Sequence, residues 1–201
     1  MVWMTRPLIG FFVIMTLVVL PLAVPPVSAM DQIKSLSTKS FSTKSLATVG
    51  YVDLDRYLGQ WFEIARLPNR FQKKCMRTTA EYQRRKDGDI RVINRCRLQG
   101  KDKIKQAIGR AWVTDKTSQA KLKVQFALTG VKLPFMAGKY WIIDLAEDYS
   151  YAVVGEPSRD YLWILSRTET LPKSTLNALI MQARQQGFPV GKLIFSGGAK
   201  R

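Results

Sequence analysis

The chain has 201 residues, of which 46% are hydrophobic, and its formal charge is +17, from 32 Lys and Arg against 15 Asp and Glu. It has two cysteines and no histidine, which excludes a Ser-His-Asp or Cys-His mechanism within the chain, a zinc site with histidine ligands and a site of four thiolates. The length and apolar content are typical of one domain with a substantial core, and the charge favours an anionic partner. We expect neither a metal nor a cofactor.

The first predicted element is a secretory signal. An apolar stretch at residues 7–24 follows a charged start and leads into the small residues of Pro25-Pro26-Val27-Ser28-Ala29, a pattern typical of a cleaved signal peptide. We therefore expect residues 1–29 to be a signal peptide, with an uncleaved anchor as the open alternative. The first cysteine is Cys75, so none follows the signal to carry a lipid. The expected location is periplasmic or secreted, with membrane association left open.

The next segment, residues 30–50, is rich in Ser, Thr and Lys and poor in core-forming side chains. This composition is typical of a flexible spacer. We expect the folded domain to occupy residues 51–201.

Eight short strands are predicted in this domain. Asp87-Gly88 separates two alternating segments and is a strong hairpin signal. The predicted strands are residues 61–67, 78–83, 90–95, 104–114, 121–126, 140–144, 151–155 and 161–167. Such a series without intervening helices predicts an all-β sandwich or an up-and-down barrel.

One helix is predicted after the strands, followed by a short strand at residues 192–195. Pro172 lies near the helix start, Ser174 is the expected N-cap, and Gly187 is the expected stop. The apolar stripe of this helix is Leu176, Leu179, Ile180 and Ala183.

Alternation predicts which strand residues face inward, because charged neighbours should face water. The residues assigned inward in two of the strands are Ile90, Val92, Asn94, Leu122, Val124 and Phe126. An inward Asn94 fits either a satisfied structural amide or a wet cavity. An eight-stranded barrel can be filled by side chains or hold one small ligand.

Three sequence motifs in the domain resemble the signatures of a known protein family. Tyr57–Arg66, with the sequence YLGQWFEIAR, contains Gly-x-Trp at the first strand. Asp144–Tyr151 and Tyr161–Thr168 match the second and third signatures in order and spacing. The chain resembles the lipocalins over residues 51–196, most closely their bacterial branch. The resemblance implies an eight-stranded antiparallel up-and-down β-barrel with a C-terminal helix and a short final strand.

The resemblance also implies a function. A lipocalin cavity open opposite Trp61 would bind a fatty acid, a lysophospholipid or a similar amphiphile, for storage, transport or envelope repair. It assigns Tyr82, Asn94 and Trp163 to the cavity wall. Alternation alone adds six positions, each of which could equally be core packing: Ala65, Ala111, Val113, Leu122, Val124 and Phe126.

A second set of residues is expected to be structural. Gly59 lets the chain enter the first strand without a Cβ clash, and Trp61 should plug the closed end. Trp163, Leu165 and Arg167 share one face of the last strand. The Arg167 guanidinium can therefore lie over the Trp61 indole in a cation–π contact.

The two cysteines are expected to form a disulfide. Cys75 and Cys96 lie at the open end of the Asp-Gly hairpin, and export with an even cysteine count favours a bridge. Simple pairing through the turn would set Cys75 opposite residue 100. The bridge therefore needs a bulge or an irregular lead-in before Arg77.

Two other functions compete with ligand binding. A calycin-type enzyme is not expected, because neither cysteine faces the cavity from mid-strand and Glu63 would be an isolated inward carboxylate. A basic protein that binds anionic membranes or other polyanions is the second alternative. Nucleic acid is not an expected partner, because aromatic residues are not interleaved with a clear basic run.

Overall fold

One antiparallel sheet closes on itself into a barrel. The computed structural model describes residues 45–100, 102–127 and 130–196; the expected signal peptide and residues 30–44 of the expected spacer lie outside this range. The strands are β1 Gly59–Arg66, β2 Cys75–Arg84, β3 Ile90–Leu98, β4 Ile104–Val113, β5 Lys121–Gln125, β6 Gly138–Leu145, β7 Tyr151–Gly155, β8 Leu162–Ser166 and β9 Ile194–Phe195. Strands β1 to β8 pair in chain order, and β1 pairs with both β2 and β8. The barrel prediction is confirmed.

Within the part of the chain that the structure describes, two α-helices and a short 3₁₀ helix accompany the sheet. Helix α1 covers Leu54–Tyr57 before β1, α2 covers Lys173–Gln185 after β8, and the 3₁₀ helix covers Val190–Lys192 before β9. Within the described residues, no helix has both the length and the apolar character that a bilayer crossing requires.

Strand β1 contains a bulge that changes which side chains face inward. Glu63 pairs with Leu165, but Ala65, two residues later, pairs with Ile164, so the register shifts between them. Glu63 therefore faces the interior with Leu165, whereas Ala65 faces outward with Ile164. The next residue, Arg66, returns to the inner face. A bulge inserts one extra residue on its own strand, and this reverses the alternation beyond it.

The buried apolar residues form one cluster inside the barrel and one outside it. The interior cluster contains Val52, Leu54, Tyr57, Trp61, Ala80, Tyr82, Ile90, Val92, Ala111, Ala120, Leu122, Ile142, Tyr149, Ala152, Val154 and Leu165. The outer cluster contains Leu46, Ile64, Ala65, Leu67, Ile143, Val153, Leu162, Ile164, Leu179, Ala183, Phe188 and Val190. Helix α2 thus covers one side of the barrel and buries that side's outer face.

The helix prediction is confirmed in its stripe and its end. Leu179 and Ala183 are buried in the outer cluster, Leu176 and Ile180 pack against it, and Gly187 follows α2 with a φ of 89°. The predicted N-cap is wrong. Pro172 occupies the cap position without a side-chain hydrogen bond, and Ser174 lies inside the first turn. Pro172 has no backbone N–H that would need a partner, and it directly precedes the first helical residue, Lys173.

Part of the expected spacer packs on the barrel. Leu46 is only 5% exposed and belongs to the outer cluster. The Val49 N–H donates to the Ile142 carbonyl at 3.1 Å. The folded unit therefore begins before Tyr51, because an apolar residue at position 46 fills space beside α2.

Cys75 and Cys96 form a disulfide, as predicted, with their Cα atoms 5.5 Å apart. The expected irregularity is present, because Arg77 pairs with Arg97 whereas Cys75 pairs with Leu98. The bridge spans 21 positions of sequence. Loop-closure entropy assigns a stabilisation of about 3 kcal/mol to a loop of this size.

Trp61 and Arg167 close one end of the barrel. Trp61 is 0% exposed, its Nε1 donates to the Tyr57 carbonyl at 2.9 Å, and the Arg167 guanidinium lies 3.8 Å from its ring centroid. Arg167 also donates to the carbonyls of Gln60 at 2.8 Å and Arg56 at 2.7 Å. The expected cation–π contact is confirmed, and it ties α1, β1 and β8 together.

Gly59 has the backbone conformation that this end requires. Its φ is 88°, and a Cβ there would lie 3.4 Å from Arg167 Nη1. A side chain would be strained by the positive φ and would crowd the guanidinium.

We predict that Arg167→Ala lowers the free energy of unfolding by about 2 kcal/mol or more, because it removes a cation–π contact and two charge-assisted hydrogen bonds. Urea denaturation measures the change. Arg84→Ala is the matched control, because Arg84 pairs on the surface with an Asp55 side chain that is 79% exposed, and such pairs contribute little. Equal losses in the two variants would contradict the structural role of Arg167.

Candidate functional site inside the barrel

The floor of the barrel interior is apolar and nearly filled. A central void of about 10 Å³ is lined by Tyr57, Tyr82, Ile90, Val92, Ala111, Leu122, Val124, Tyr140 and Ile142. A void of this size holds about one water molecule, whereas pockets for drug-sized ligands are typically about 300–1,000 Å³. The floor is therefore packed by side chains, and we call this arrangement the closed state.

Three tyrosines account for much of this filling. Tyr57 comes from α1, Tyr82 from β2 and Tyr140 from β6. The Tyr140 hydroxyl lies 2.8 Å from the Tyr57 hydroxyl and 2.7 Å from the Tyr82 hydroxyl. Three rings from three elements thus meet at one hydrogen-bonded point, which we call the tyrosine triad.

The tyrosine triad is neutral at physiological pH. Burial raises the pKa of Tyr82 to about 12. Burial also raises the pKa values of Tyr57 and Tyr140 well above the ordinary tyrosine value. The hydroxyls therefore remain protonated and act as neutral hydrogen-bonding groups beside aliphatic side chains.

Above the floor, nearer the open end, the interior is polar. Glu63 and Arg66 lie on the inner face of β1 and form an ion pair of 2.9 Å, with both side chains 3% exposed. Burial raises the pKa of Glu63, although Arg66 and Gln72 act in the opposite direction. We call Glu63, Arg66, Gln72 and Thr78 the polar layer.

Gln72 joins the polar layer from the β1–β2 loop. Its Nε2 donates to Glu63 Oε2 at 2.6 Å and to Thr78 Oγ1 at 3.2 Å. Its Oε1 accepts from Trp163 Nε1 at 3.1 Å and from Asn69 Nδ2 at 2.8 Å. One loop side chain therefore connects β1, β2 and β8 across the interior.

Two buried polar atoms have no hydrogen-bond partner among the described residues on the inner face. They are the Nε of Arg66 and the Oδ1 of Asn94. Native proteins usually satisfy buried polar atoms. These two atoms are a donor and an acceptor that a buried water or a ligand can satisfy.

Aromatic rings continue from the polar layer to the outside. Tyr161 stacks on Trp163 with ring centroids 5.9 Å apart, and Phe71 stacks on Tyr161 at 6.1 Å. Trp163 packs against the interior cluster, whereas Phe71 is 58% exposed. The three rings form an apolar path between solvent and the barrel interior.

The structure places most of the nine predicted cavity residues inside. Tyr82, Ala111, Leu122 and Val124 line the void, and Val113 and Trp163 pack against the interior cluster. Asn94 pairs with the inward Ala80, as alternation predicted.

The remaining two predicted residues differ from each other: Phe126 lies at the inner face beyond the end of β5, whereas Ala65 lies outside the barrel. Phe126 is 45% exposed and approaches the inner position of Gly109, so it lies beyond the floor where β5 ends. The inward direction assigned to Ala65 is wrong, because the β1 bulge turns it into the outer cluster.

Several interior residues were not assigned from the sequence. Tyr140 and Ile142 alternate with Trp141, a signal that could have placed them inward. Tyr57 lies in a short helix, and Gln72 lies in a loop, where no periodicity applies. Arg66 could not be assigned inward by alternation, because the β1 bulge that turns Ala65 outward also turns Arg66 inward. Among the described residues, no group of three or more His, Cys, Asp or Glu side chains could hold a metal ion.

Known proteins resemble this chain in sequence and fold. The family model of a lipocalin-like domain matches residues 52–197. Outer membrane lipoprotein Blc of Vibrio cholerae is 39% identical over 144 residues, which are 71% of this chain and 81% of that protein. Temperature-induced lipocalin-1 of Arabidopsis thaliana is 40% identical over 146 residues, which are 71% of this chain and 77% of that protein.

A solved structure agrees in fold. Insecticyanin from the tobacco hornworm Manduca sexta superposes with a TM-score of 0.61, covering 78% of this chain and 86% of that chain at 20% identity. At this identity the likeness concerns the fold alone.

We predict that Tyr140→Phe lowers the free energy of unfolding by about 1–3 kcal/mol, because it leaves the Tyr57 and Tyr82 hydroxyls buried without their shared partner. Urea denaturation at neutral pH measures the loss. Tyr151→Phe is the matched control, because the structure gives the partly buried Tyr151 hydroxyl no hydrogen bond among the described residues. A Tyr140→Phe variant as stable as this control would contradict the importance of the tyrosine triad.

Proposed function

We propose that this chain, which belongs to the lipocalin family and within it to the bacterial branch, binds a small amphiphile in its barrel. A fatty acid or a lysophospholipid is the ligand class that we favour. The proposed role is storage or transport of this ligand in the handling of envelope lipids. The observation that carries the proposal is the division of the interior into an apolar floor and a polar layer.

The floor supports the binding of an acyl chain. Its wall consists of aliphatic and aromatic side chains, and its only polar groups are the mutually bonded tyrosine hydroxyls. Apolar surface buried against such a wall contributes about 25 cal/mol per Å². The polar layer above it supplies a few placed hydrogen-bonding groups, which is the composition of a ligand pocket.

The closed state must open before an acyl chain can enter. The hydrogen-bond ladder fixes the strand backbones but not the tyrosine side chains that fill the floor, and Gln72 belongs to the β1–β2 loop. Withdrawal of Gln72 costs its own hydrogen bonds but leaves the barrel ladder intact. We propose that a ligand binds the open form preferentially and so shifts the population toward it.

The proposed activity is binding without chemistry. The two cysteines are joined in a disulfide, and Glu63 is held by Arg66 and Gln72. Neither arrangement leaves an activated nucleophile beside a base, which covalent catalysis requires.

We also propose that the chain is exported. The apolar residues 7–24 and the small residues that follow them support a signal peptide. The disulfide between Cys75 and Cys96 fits an oxidising compartment. The name of the Vibrio cholerae relative assigns that protein to an outer membrane, which supports an envelope or secreted location for this one.

We predict that the purified protein binds palmitate and that Ala111→Phe lowers the affinity by about tenfold or more, a loss of about 1.4 kcal/mol. Ala111 is buried on the wall of the void, so a larger side chain occupies the space the ligand needs. Titration calorimetry and native mass spectrometry measure the binding.

Ile108→Phe is the control on the same strand, because Ile108 is 40% exposed on the outer face. Thermal unfolding of both variants separates blocked binding from lost folding, since overpacking alone costs about 1–3 kcal/mol. Equal affinities in the two variants would place the ligand outside the barrel.

A second proposed partner is an anionic membrane surface that the open end of the barrel contacts. The β1–β2 and β5–β6 loops lie at the same end, because successive strands alternate in direction. Phe71 and Phe135 in these loops are 58% and 84% exposed. Exposed cations of the same loops and their strand ends are Arg70, Lys73, Lys74, Lys132 and Lys139. Apolar and basic side chains together are what an anionic bilayer surface attracts.

We predict that vesicles containing phosphatidylglycerol bind the protein and that pure phosphatidylcholine vesicles bind it several-fold less, because each surface cation contributes about 1 kcal/mol near anionic lipid. The double change Phe71→Ser and Phe135→Ser should weaken vesicle binding in a flotation assay. Met181→Ser is the control, because Met181 is 60% exposed on helix α2. Equal flotation of all three proteins would exclude these loops as the contact.

A further inference from the structure

We propose that Arg66 binds the anionic headgroup oxygen of the amphiphile, whether that oxygen belongs to a carboxylate or to a phosphate. This inference rests on the proposed function and adds the residue that selects the headgroup. It assigns an acidic amphiphile, rather than a neutral one, as the preferred ligand.

The position of Arg66 is the first support. The β1 bulge turns its side chain to the inner face, where it lies opposite Trp163 in the β1–β8 register. Trp163 packs against the apolar floor. A ligand whose acyl chain occupies the floor would therefore have its other end beside Arg66.

The donors of Arg66 are the second support. Nη1 donates to Glu63 Oε1 at 2.9 Å, and Nη2 donates to the carbonyls of Gln72 at 3.0 Å and Cys75 at 3.2 Å. Nε is buried and has no acceptor among the described residues, in a side chain that is only 3% exposed. A buried donor without an acceptor costs free energy that a ligand oxygen can recover.

Opening of the loop would complete the site. Withdrawal of Gln72 removes one of the two acceptors at Nη2. Nε and Nη2 together form one edge of the guanidinium, and this edge matches the two oxygens of a carboxylate or phosphate. Movement of the loop at Gln72, backbone carbonyl included, would thus uncover the donors that bind the headgroup.

Glu63 neutralises the charge of Arg66 and so weakens the attraction between Arg66 and an anionic headgroup. The buried Arg66–Glu63 pair is neutral as a unit, so an anionic ligand makes the polar layer negative. Removal of the Glu63 charge leaves Arg66 as an uncompensated cation, because a guanidinium does not lose its proton in proteins. Binding of an anion should then strengthen, whereas binding of a neutral headgroup should not.

The test compares palmitate with cetyl alcohol, which have equal chain lengths and different headgroups. Glu63→Gln should raise the affinity for palmitate relative to cetyl alcohol by about tenfold or more, since charges interact strongly at a buried site. Glu81→Gln is the matched control, because Glu81 pairs with Arg95 on the outer surface and its loss changes the net charge equally. Lysophosphatidic acid, with a phosphate, should follow palmitate, and acetate alone should bind no variant.

A second variant tests whether the palmitate preference comes from the Arg66 charge, because it removes both charges of the buried pair. Glu63→Gln combined with Arg66→Met leaves no ion in the polar layer and should reduce the palmitate preference below that of the original protein. Thermal unfolding checks that each variant is folded. An unchanged preference in both variants would overturn the headgroup site while leaving the barrel as the ligand site. Absence of cetyl alcohol and palmitate binding in the original protein would overturn the proposed function and this inference with it.

Discussion

Strand β1 is the element on which the barrel depends. It pairs with β2 along Gly59–Phe62, with β8 along most of its length, and with β9 at its far end. Without β1 the sheet would have free edges at β2 and β8, and exposed edges invite pairing with other chains. Trp61 and Arg167 hold the start of this strand, so the same residues close both the sheet and the end of the cavity.

The bulge in β1 converts this structural strand into part of the candidate site. Strict alternation from Trp61 would point Glu63 and Ala65 inward and Arg66 outward. One extra residue sends Ala65 into the outer cluster and Arg66 inward, so two residues three positions apart share the inner face. The buried ion pair exists because of this register shift. The bulge also gives helix α2 a small side chain at Ala65 to pack over.

The sequence predicted the structure correctly where strand alternation or a local motif alone determines the position of a residue. The eight strands, the lower wall of the barrel and the Trp61–Arg167 contact follow from alternation and from three local motifs. Ala65 was misassigned because a bulge has no signature in the pattern of apolar residues. Gln72 could not be assigned, because a loop side chain reaches the interior through tertiary geometry. The register shift after Cys75 could be predicted, because a disulfide to Cys96 is impossible in the simple hairpin register.

The distribution of charge connects the surface to the interior. The described interior holds its charges as a pair, Arg66 with Glu63. On the outside, Arg110 is matched by Asp89 and Asp87. The formal excess of +17 therefore comes from other residues of the chain. The interior pair is neutral as a unit and adds nothing to this excess. Burial raises the pKa of Glu63, whereas Arg66 and Gln72 act against that shift. The buried carboxylate therefore depends on these two partners for its charge.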